Sequence, residues 1–157
     1  MKKVLVTGGA GLIGSHTVDL LLEKGYSVRI FDNLEKPTHL SGKPSYIPKD
    51  VEFIEGDMRN ELDLAGALKG MDSVIHLAAT GGFTSRITEY MEANSVGTAR
   101  MFEIIRKNRL PIRKIVVASS IAVYGEGKYR CAEHGVVYPP IRPIEQLEKG
   151  EWEVRCP

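Results

Sequence analysis

Cysteine is nearly missing from this chain. Cys131 and Cys156 are its only two among 157 residues, both late, so no disulfide framework holds the domain together. A long hydrophobic run is missing too: no stretch approaches the ~20 apolar residues of a membrane span, and a strand beginning at residue 3 leaves no room for a secretory leader. The expectation is a cytoplasmic protein with no membrane partner. Neither sign of charge dominates, since 21 basic and 20 acidic side chains leave a net +1, a balance that speaks against nucleic acid or an acidic partner. Internal repeats and low-complexity tracts are also absent. What the chain does have is 43% hydrophobic residues, enough for one compact core.

The most informative stretch runs from Val4 to His16. An apolar strand enters three glycines, Gly8, Gly11 and Gly14, and then a helix whose pattern is Thr17, Val18, Leu20, Leu21, Leu22 and Glu23. In such a turn the first glycine permits the sharp exit from the strand, and the second keeps side-chain atoms away from an approaching phosphate. The third lets the helix pack closely on the sheet. Backbone N–H groups at the helix start then face the anion. A second strand closing on Phe31-Asp32-Asn33 follows at the distance this arrangement requires, so the reading is a dinucleotide site.

Short β-branched runs alternate with helical patterns along the chain. Strands are expected at 3–7, 27–32, 51–55, 73–77 and 114–118, with helical crossovers at 12–24, about 60–69 and about 87–108. The segment 34–50, with three prolines and no period, reads as loop. Strands alternating with crossovers imply an α/β fold: a Rossmann-type doubly wound parallel sheet of order 3-2-1-4-5, truncated, with residues 1–125 as the dinucleotide-binding domain. From residue 126 to 157 glycines and prolines interrupt any pattern. This part reads as an irregular tail or the start of an insertion, with no sixth strand.

Several residues carry chemistry. Asp32, at the tip of the second strand, can accept hydrogen bonds from both adenosine ribose hydroxyls while repelling a 2′-phosphate, which makes the expected cofactor NAD rather than NADP. Its alternative role is a turn cap. Asp57 and the Met58 N–H, ending the third strand, could meet the adenine, or the segment could simply cap the next helix. Ser119 and Ser120 follow the fifth strand, where a hydroxyl can bond a reacting sugar oxygen or merely shape a turn. In the tail, Cys131-x-x-His134 has the spacing of half a zinc knuckle and Cys156-Pro157 looks like the start of a second half. Three ligands are one short of a closed structural site, so no metal is assigned and the cysteines read as free thiols of a surface insertion. His16 reads as a helix position near the glycine turn. His76 reads as a strand end whose backbone matters more than its ring.

Taken together, Thr7–Gly14, Phe31-Asp32-Asn33-Leu34, Gly56-Asp57-Met58-Arg59, His76-Leu77-Ala78-Ala79, Asn94–Thr98 and Ser119–Gly125 resemble the extended short-chain dehydrogenase/reductase family. That family includes the NAD-dependent nucleotide-sugar epimerases and dehydratases. The resemblance covers residues 1 to about 125. It implies that Gly8, Gly11, Leu12, Ile13, Gly14, Asp32, Asn33, Asp57, Met58, Leu77, Ala78, Ala79 and Asn94 hold NAD and that Ser120 is the catalytic hydroxyl.

The family's base is a tyrosine four residues before a lysine on a helix. Only Tyr124 and Lys128 have that spacing here, across Gly125-Glu126-Gly127, a poor helix former, and Tyr124 matches a structural tyrosine instead. The chain therefore resembles the amino-terminal part of an enzyme. The expected function is the NAD-binding part of a nucleotide-sugar 4-epimerase, inactive by itself. The alternatives are a nucleotide-sugar 4,6-dehydratase, whose usual Asp-Glu after the hydroxyl is replaced by Ile121-Ala122, and a non-catalytic NAD-binding module. The resemblance also implies a homodimer at full length, through the helix near 87–108. Its Met91, Val96, Met101, Phe102, Ile104 and Ile105 exceed what one sheet-facing stripe needs.

Overall fold

The computed structural model describes residues 2–36, 38–81 and 86–156. Pro37, one of the three loop prolines, and Pro157 lie outside them. The chain forms two compact units, 1–118 and 119–157.

The first unit is a five-stranded parallel sheet of order β3-β2-β1-β4-β5, as expected. Its strands are β1 (Lys3–Thr7), β2 (Ser27–Asp32), β3 (Glu52–Glu55), β4 (Ser73–His76) and β5 (Lys114–Val117). β1 is central, with Val6 opposite both Ile30 and Ile75 in the registers of its two neighbours. Alternation along the strands feeds two cores. Val4, Val6, Val28 and Ile30 pack with Val18 of α1 (Leu12–Glu23) on one face. Leu5, Phe31 and Val74 point to the other face, where they meet Leu64 and Leu68 of α2 (Glu61–Leu68) and Met101 and Ile104 of α4 (Gly97–Lys107). Asn60 caps α2, its side chain accepting from the Leu62 and Asp63 N–H groups.

The crossover expected as one helix near 87–108 is instead a composite. A single α-turn, α3 (Ile87–Tyr90), passes into a π-helical turn over Met91–Val96 before α4 begins. Such wide turns are rare and are found most often at functional sites, and Asn94 lies in this one. The described residues of the 34–50 segment form no helix or strand, yet Ile47 is buried against the α1-side core.

The second unit adds what the sequence reading missed. It carries a two-stranded antiparallel hairpin, β6 (Tyr129–Cys131) with β7 (Gly135–Val137), and a short helix, α5 (Ile144–Glu148). Three-residue strands are too brief for alternation to register; Gly135, the first residue of β7, takes a positive φ as the chain leaves the turn.

Candidate functional site

The carboxyl ends of β1, β2, β3 and β4 surround a cleft of about 480 Å³, a size suited to a small-molecule ligand. Its walls include Gly8, Gly11, Asp32, Asn33, Asp57, Met58, Leu77, Ala78 and Ala79. The three glycines do different work there. Gly8 adopts φ +68°, and a Cβ on it would lie 2.7 Å from the Ala78 nitrogen. On Gly14 a Cβ would lie 2.0 Å from the Gly8 carbonyl oxygen, so α1 could not sit where it does. A Cβ on Gly11 meets only the Gly8 oxygen, at an ordinary 3.4 Å. Nothing inside the protein demands glycine at position 11; its bare backbone serves the cleft. Gly11 is also the N-cap of α1, without a side-chain cap, and no acid stands in the first turn. The positive end of the helix is thus left for an anion.

Two carboxylates face the cleft in opposite states of occupancy. Asp32 is buried; its Oδ2 accepts the Ala10 N–H at 3.0 Å and its Oδ1 the Leu34 N–H at 2.9 Å. It does cap the turn, and each oxygen still has one acceptor position left. His39, also buried, stands 3.9 Å from Oδ1, beyond hydrogen-bond range. Asp57 is saturated. Its Oδ1 takes the Arg59 backbone N–H and Nε, and its Oδ2 takes Arg59 Nη2 and Asn33 Nδ2. The Arg59 hydrogen bonds, against the opposing cost of partial burial, hold its carboxyl down to about 2. An adenine amino group could bond Asp57 only by displacing one of these donors, and the 3.1 Å bond from Asn33 is the longest of them.

Behind the Leu77–Thr80 wall lies a buried chain of hydrogen bonds that sequence reading missed, and it corrects the view of His76 as a backbone position only. Thr7 Oγ1 accepts the N–H groups of Leu77 and Ala78 at 3.2 and 3.1 Å and lies 2.7 Å from His76 Nδ1. His76 Nε2 lies 2.8 Å from Thr98 Oγ1, which donates to the Asn94 carbonyl. With the Thr98 hydrogen committed there, its oxygen must accept from Nε2–H, and Nδ1 then accepts from Thr7. That assigns one neutral tautomer and satisfies every group. Burial pushes the His76 pKa down, in keeping with a neutral ring. Asn94 completes the chain from its side chain, which accepts the Thr80 N–H at 2.8 Å and donates to the Thr80 carbonyl at 3.0 Å. It holds the wall rather than lining the cleft. The only sequence signal for this network is the polar residue, Thr7 or His76, ending each of two otherwise apolar strands.

Other expected residues fall elsewhere. Leu12 and Ile13 are highly exposed at the start of α1 and are not among the cleft walls; Gly14 is buried beneath Gly8. His16 is exposed. In the second unit, Ser120 Oγ accepts the Ala122 N–H at 3.1 Å and caps a 3₁₀ turn, Ile121–Tyr124. No helix joins Tyr124 to Lys128, because Gly125 and Gly127 both take positive φ. Cys131, His134 and Cys156, read from the sequence as two incomplete halves of a knuckle and left without a metal, are gathered: their ligand atoms all lie within 4.8 Å of one another. Among the described residues no helix is long and apolar enough to cross a membrane.

Comparison with known proteins agrees with this fold. The model of the NAD dependent epimerase/dehydratase family matches residues 4–146. The chain is 35% identical to dTDP-L-rhamnose 4-epimerase of Burkholderia thailandensis over 97% of its own length and 44% of that protein's. It is 41% identical to UDP-glucose 4-epimerase of Halalkalibacterium halodurans, covering 78% of this chain and 36% of the relative. Among solved structures, Thermus thermophilus UDP-glucose 4-epimerase in complex with NAD superposes with a TM-score of 0.66 at 35% identity. The match covers 90% of this chain and 44% of that one. The chain thus spans less than half the length of these relatives.

Proposed function

Because the chain belongs to the NAD-dependent epimerase/dehydratase family, we propose that its residues 1–125 hold NAD and that the protein interconverts nucleotide sugars epimeric at C4. The observation that carries the cofactor assignment is Asp32. Two unused acceptor positions at the rim of the cleft match the two hydroxyls of an adenosine ribose, and the charge repels a 2′-phosphate. Gly8 and Gly11 let the pyrophosphate approach the uncapped start of α1, while Leu77, Ala78 and Ala79 provide a small-residue wall fixed from behind by Thr7 and Asn94. NAD bound there would supply a hydride acceptor for the C4 hydrogen of a nucleotide sugar. Ser120 orients and polarises the C4 oxygen by donating its hydroxyl hydrogen, since its oxygen already accepts from Ala122. Residues 126–157 are read as an appendage to the NAD-binding domain.

Epimerisation is preferred to 4,6-dehydration because Ile121 and Ala122, with no acid group, follow Ser120, and because the relatives named above are 4-epimerases. The same reading makes the protein a cytoplasmic homodimer. Met101 and Ile104 are buried, but Ile87, Met91, Val96 and Phe102 remain exposed along the composite crossover and supply an apolar face for a second copy. Light scattering on the whole protein tests the dimer, and a stable monomer rules it out.

Calorimetric titration tests the cofactor: NAD should bind more tightly than NADP, and Asp32→Ala should narrow the difference. Tighter NADP binding to the unmodified protein would sink the assignment. Incubating the whole protein with UDP- and dTDP-hexoses and following C4 configuration by proton NMR tests the reaction. Formation of a 4-keto-6-deoxy sugar would replace epimerase with dehydratase, and NAD binding without turnover of any nucleotide sugar would favour a non-catalytic module.

A further inference from the structure

The geometry points to a zinc site in the second unit, held by Cys131 Sγ, His134 Nδ1 and Cys156 Sγ. This goes beyond the NAD reading and does not depend on it. The two sulfurs lie 3.6 and 3.3 Å from the same imidazole nitrogen. In a tetrahedral zinc complex with bonds of roughly 2.3 Å to sulfur and 2.0–2.1 Å to nitrogen, the sulfur–nitrogen edge is about 3.6 Å. The ligands already stand near the corners of such a tetrahedron. Hydrogen bonding does not account for the cluster equally well. One imidazole nitrogen offers either one lone pair or one hydrogen and cannot serve two sulfurs at once, whereas an ion centred among them serves all three.

The local fold supports this arrangement. Cys131 ends β6 and His134 stands just before β7, so the hairpin turn presents both ligands on one short loop. Within the turn the Glu133 N–H points at Cys131 Sγ at 3.4 Å, the kind of donor that stabilises a metal-bound thiolate. The unit also has little else to hold it. Among the described residues of 119–157, Pro139 is the one buried apolar side chain, while Ile121, Val123, Tyr138, Ile141 and Trp152 are all exposed. Units below about 40 residues usually need a disulfide, a metal or a partner copy. Cys131 and Cys156 are free thiols, and two thiolates with one imidazole form a borderline-soft donor set that selects zinc over magnesium or calcium. Zinc there pins the hairpin to the segment ending at Cys156, leaving one coordination position for a water or a further side chain.

Cys131 and Cys156 are the two cysteines of these 157 residues, and the double variant described below separates their signal from that of any other thiol in the whole protein. The whole protein is reduced, stripped with chelator, incubated with one equivalent of zinc and passed through a desalting column. Elemental analysis should find one zinc per chain, and thiols reactive before loading should be protected after it. Cobalt in place of zinc should give thiolate charge-transfer absorption and the visible bands of a tetrahedral ion, both lost in the Cys131→Ser, Cys156→Ser double variant. If that variant fails to fold, thiol protection in the unmodified protein still decides. Zinc-free protein after desalting, thiols equally reactive with and without zinc, or a Cys131–Cys156 disulfide that persists under reductant would each overturn the proposal.

Discussion

Replacing His76 by leucine tests the buried chain behind the cleft. The substitution keeps an apolar body on β4 but removes both ring nitrogens. Thr7, fully buried, then has a hydroxyl hydrogen with no acceptor, which costs about 1–3 kcal/mol. Thr98, only partly buried, loses its donor and can turn to water, adding less. A loss of about 2–3 kcal/mol should lower the urea midpoint of the first unit by about 1 M. The lone tryptophan, Trp152, belongs to the second unit, so far-UV circular dichroism is the appropriate signal. Acidification provides a second readout. Burial lowers the folded-state pKa of His76 below the ordinary 6.5, so between those two values the unfolded chain binds one more proton than the folded one. Stability is complete above pH 6.5 and falls below it by up to about 1.4 kcal/mol per pH unit, levelling off under the folded-state value. His76→Leu should lack that component, so the two proteins should converge as pH drops. An unchanged midpoint at pH 8 together with an unchanged acid slope would refute the network.

Gly14→Ala should destabilise the first unit by at least about 1–3 kcal/mol through the collision with the Gly8 carbonyl, read as a drop in thermal midpoint. Gly11→Ala should leave the midpoint nearly unchanged and weaken NAD at least tenfold by calorimetry; equal loss of stability in both variants would show that position 11 is structural. Arg59→Ala should raise the Asp57 pKa from about 2 towards its ordinary 3.8, followed by carbon NMR of the carboxyl group, and an unmoved titration would mean that Arg59 is not the main cause.

The sheet order and the glycine turn were legible because their signals are local. Apolar runs mark the strands, and a strand, glycine and helix sequence has few other uses. The same holds for Asp32, whose place at a strand tip follows from counting. His76 was opaque because its partners, Thr7 and Thr98, stand 69 and 22 residues away, and nothing local distinguishes a bridging imidazole from a strand end. The π turn was hidden for a related reason: Asn94, which lies in it, bonds Thr80, 14 residues away, a contact that periodicity cannot see. Asp57 could have been read further, since Arg59 two residues on is close enough to claim both oxygens. The Cys131, His134 and Cys156 cluster was half legible. The C-x-x-H spacing was visible, but only the folded chain brings Cys156 back to it.

On the proposed reading of the cleft, the contrast between its two carboxylates assigns cofactor selectivity to Asp32. Hydrogen bonds hold the Asp57 carboxyl down to about 2, yet Arg59 and Asn33 occupy all its acceptor positions and Arg59 neutralises its charge. Asp32 is held by two backbone amides, which fix its oxygens without cancelling their charge or filling them. An approaching ribose therefore meets one carboxylate that can bond it and one that cannot. Both amides come from the turns bordering the cleft, Ala10 from the glycine turn and Leu34 from the exit of β2, so the group proposed to read the ribose also ties those turns together. Asp32→Asn separates the two roles. The amide oxygen can keep one backbone bond, but the negative charge that repels a 2′-phosphate is gone, so selectivity should fall further than stability.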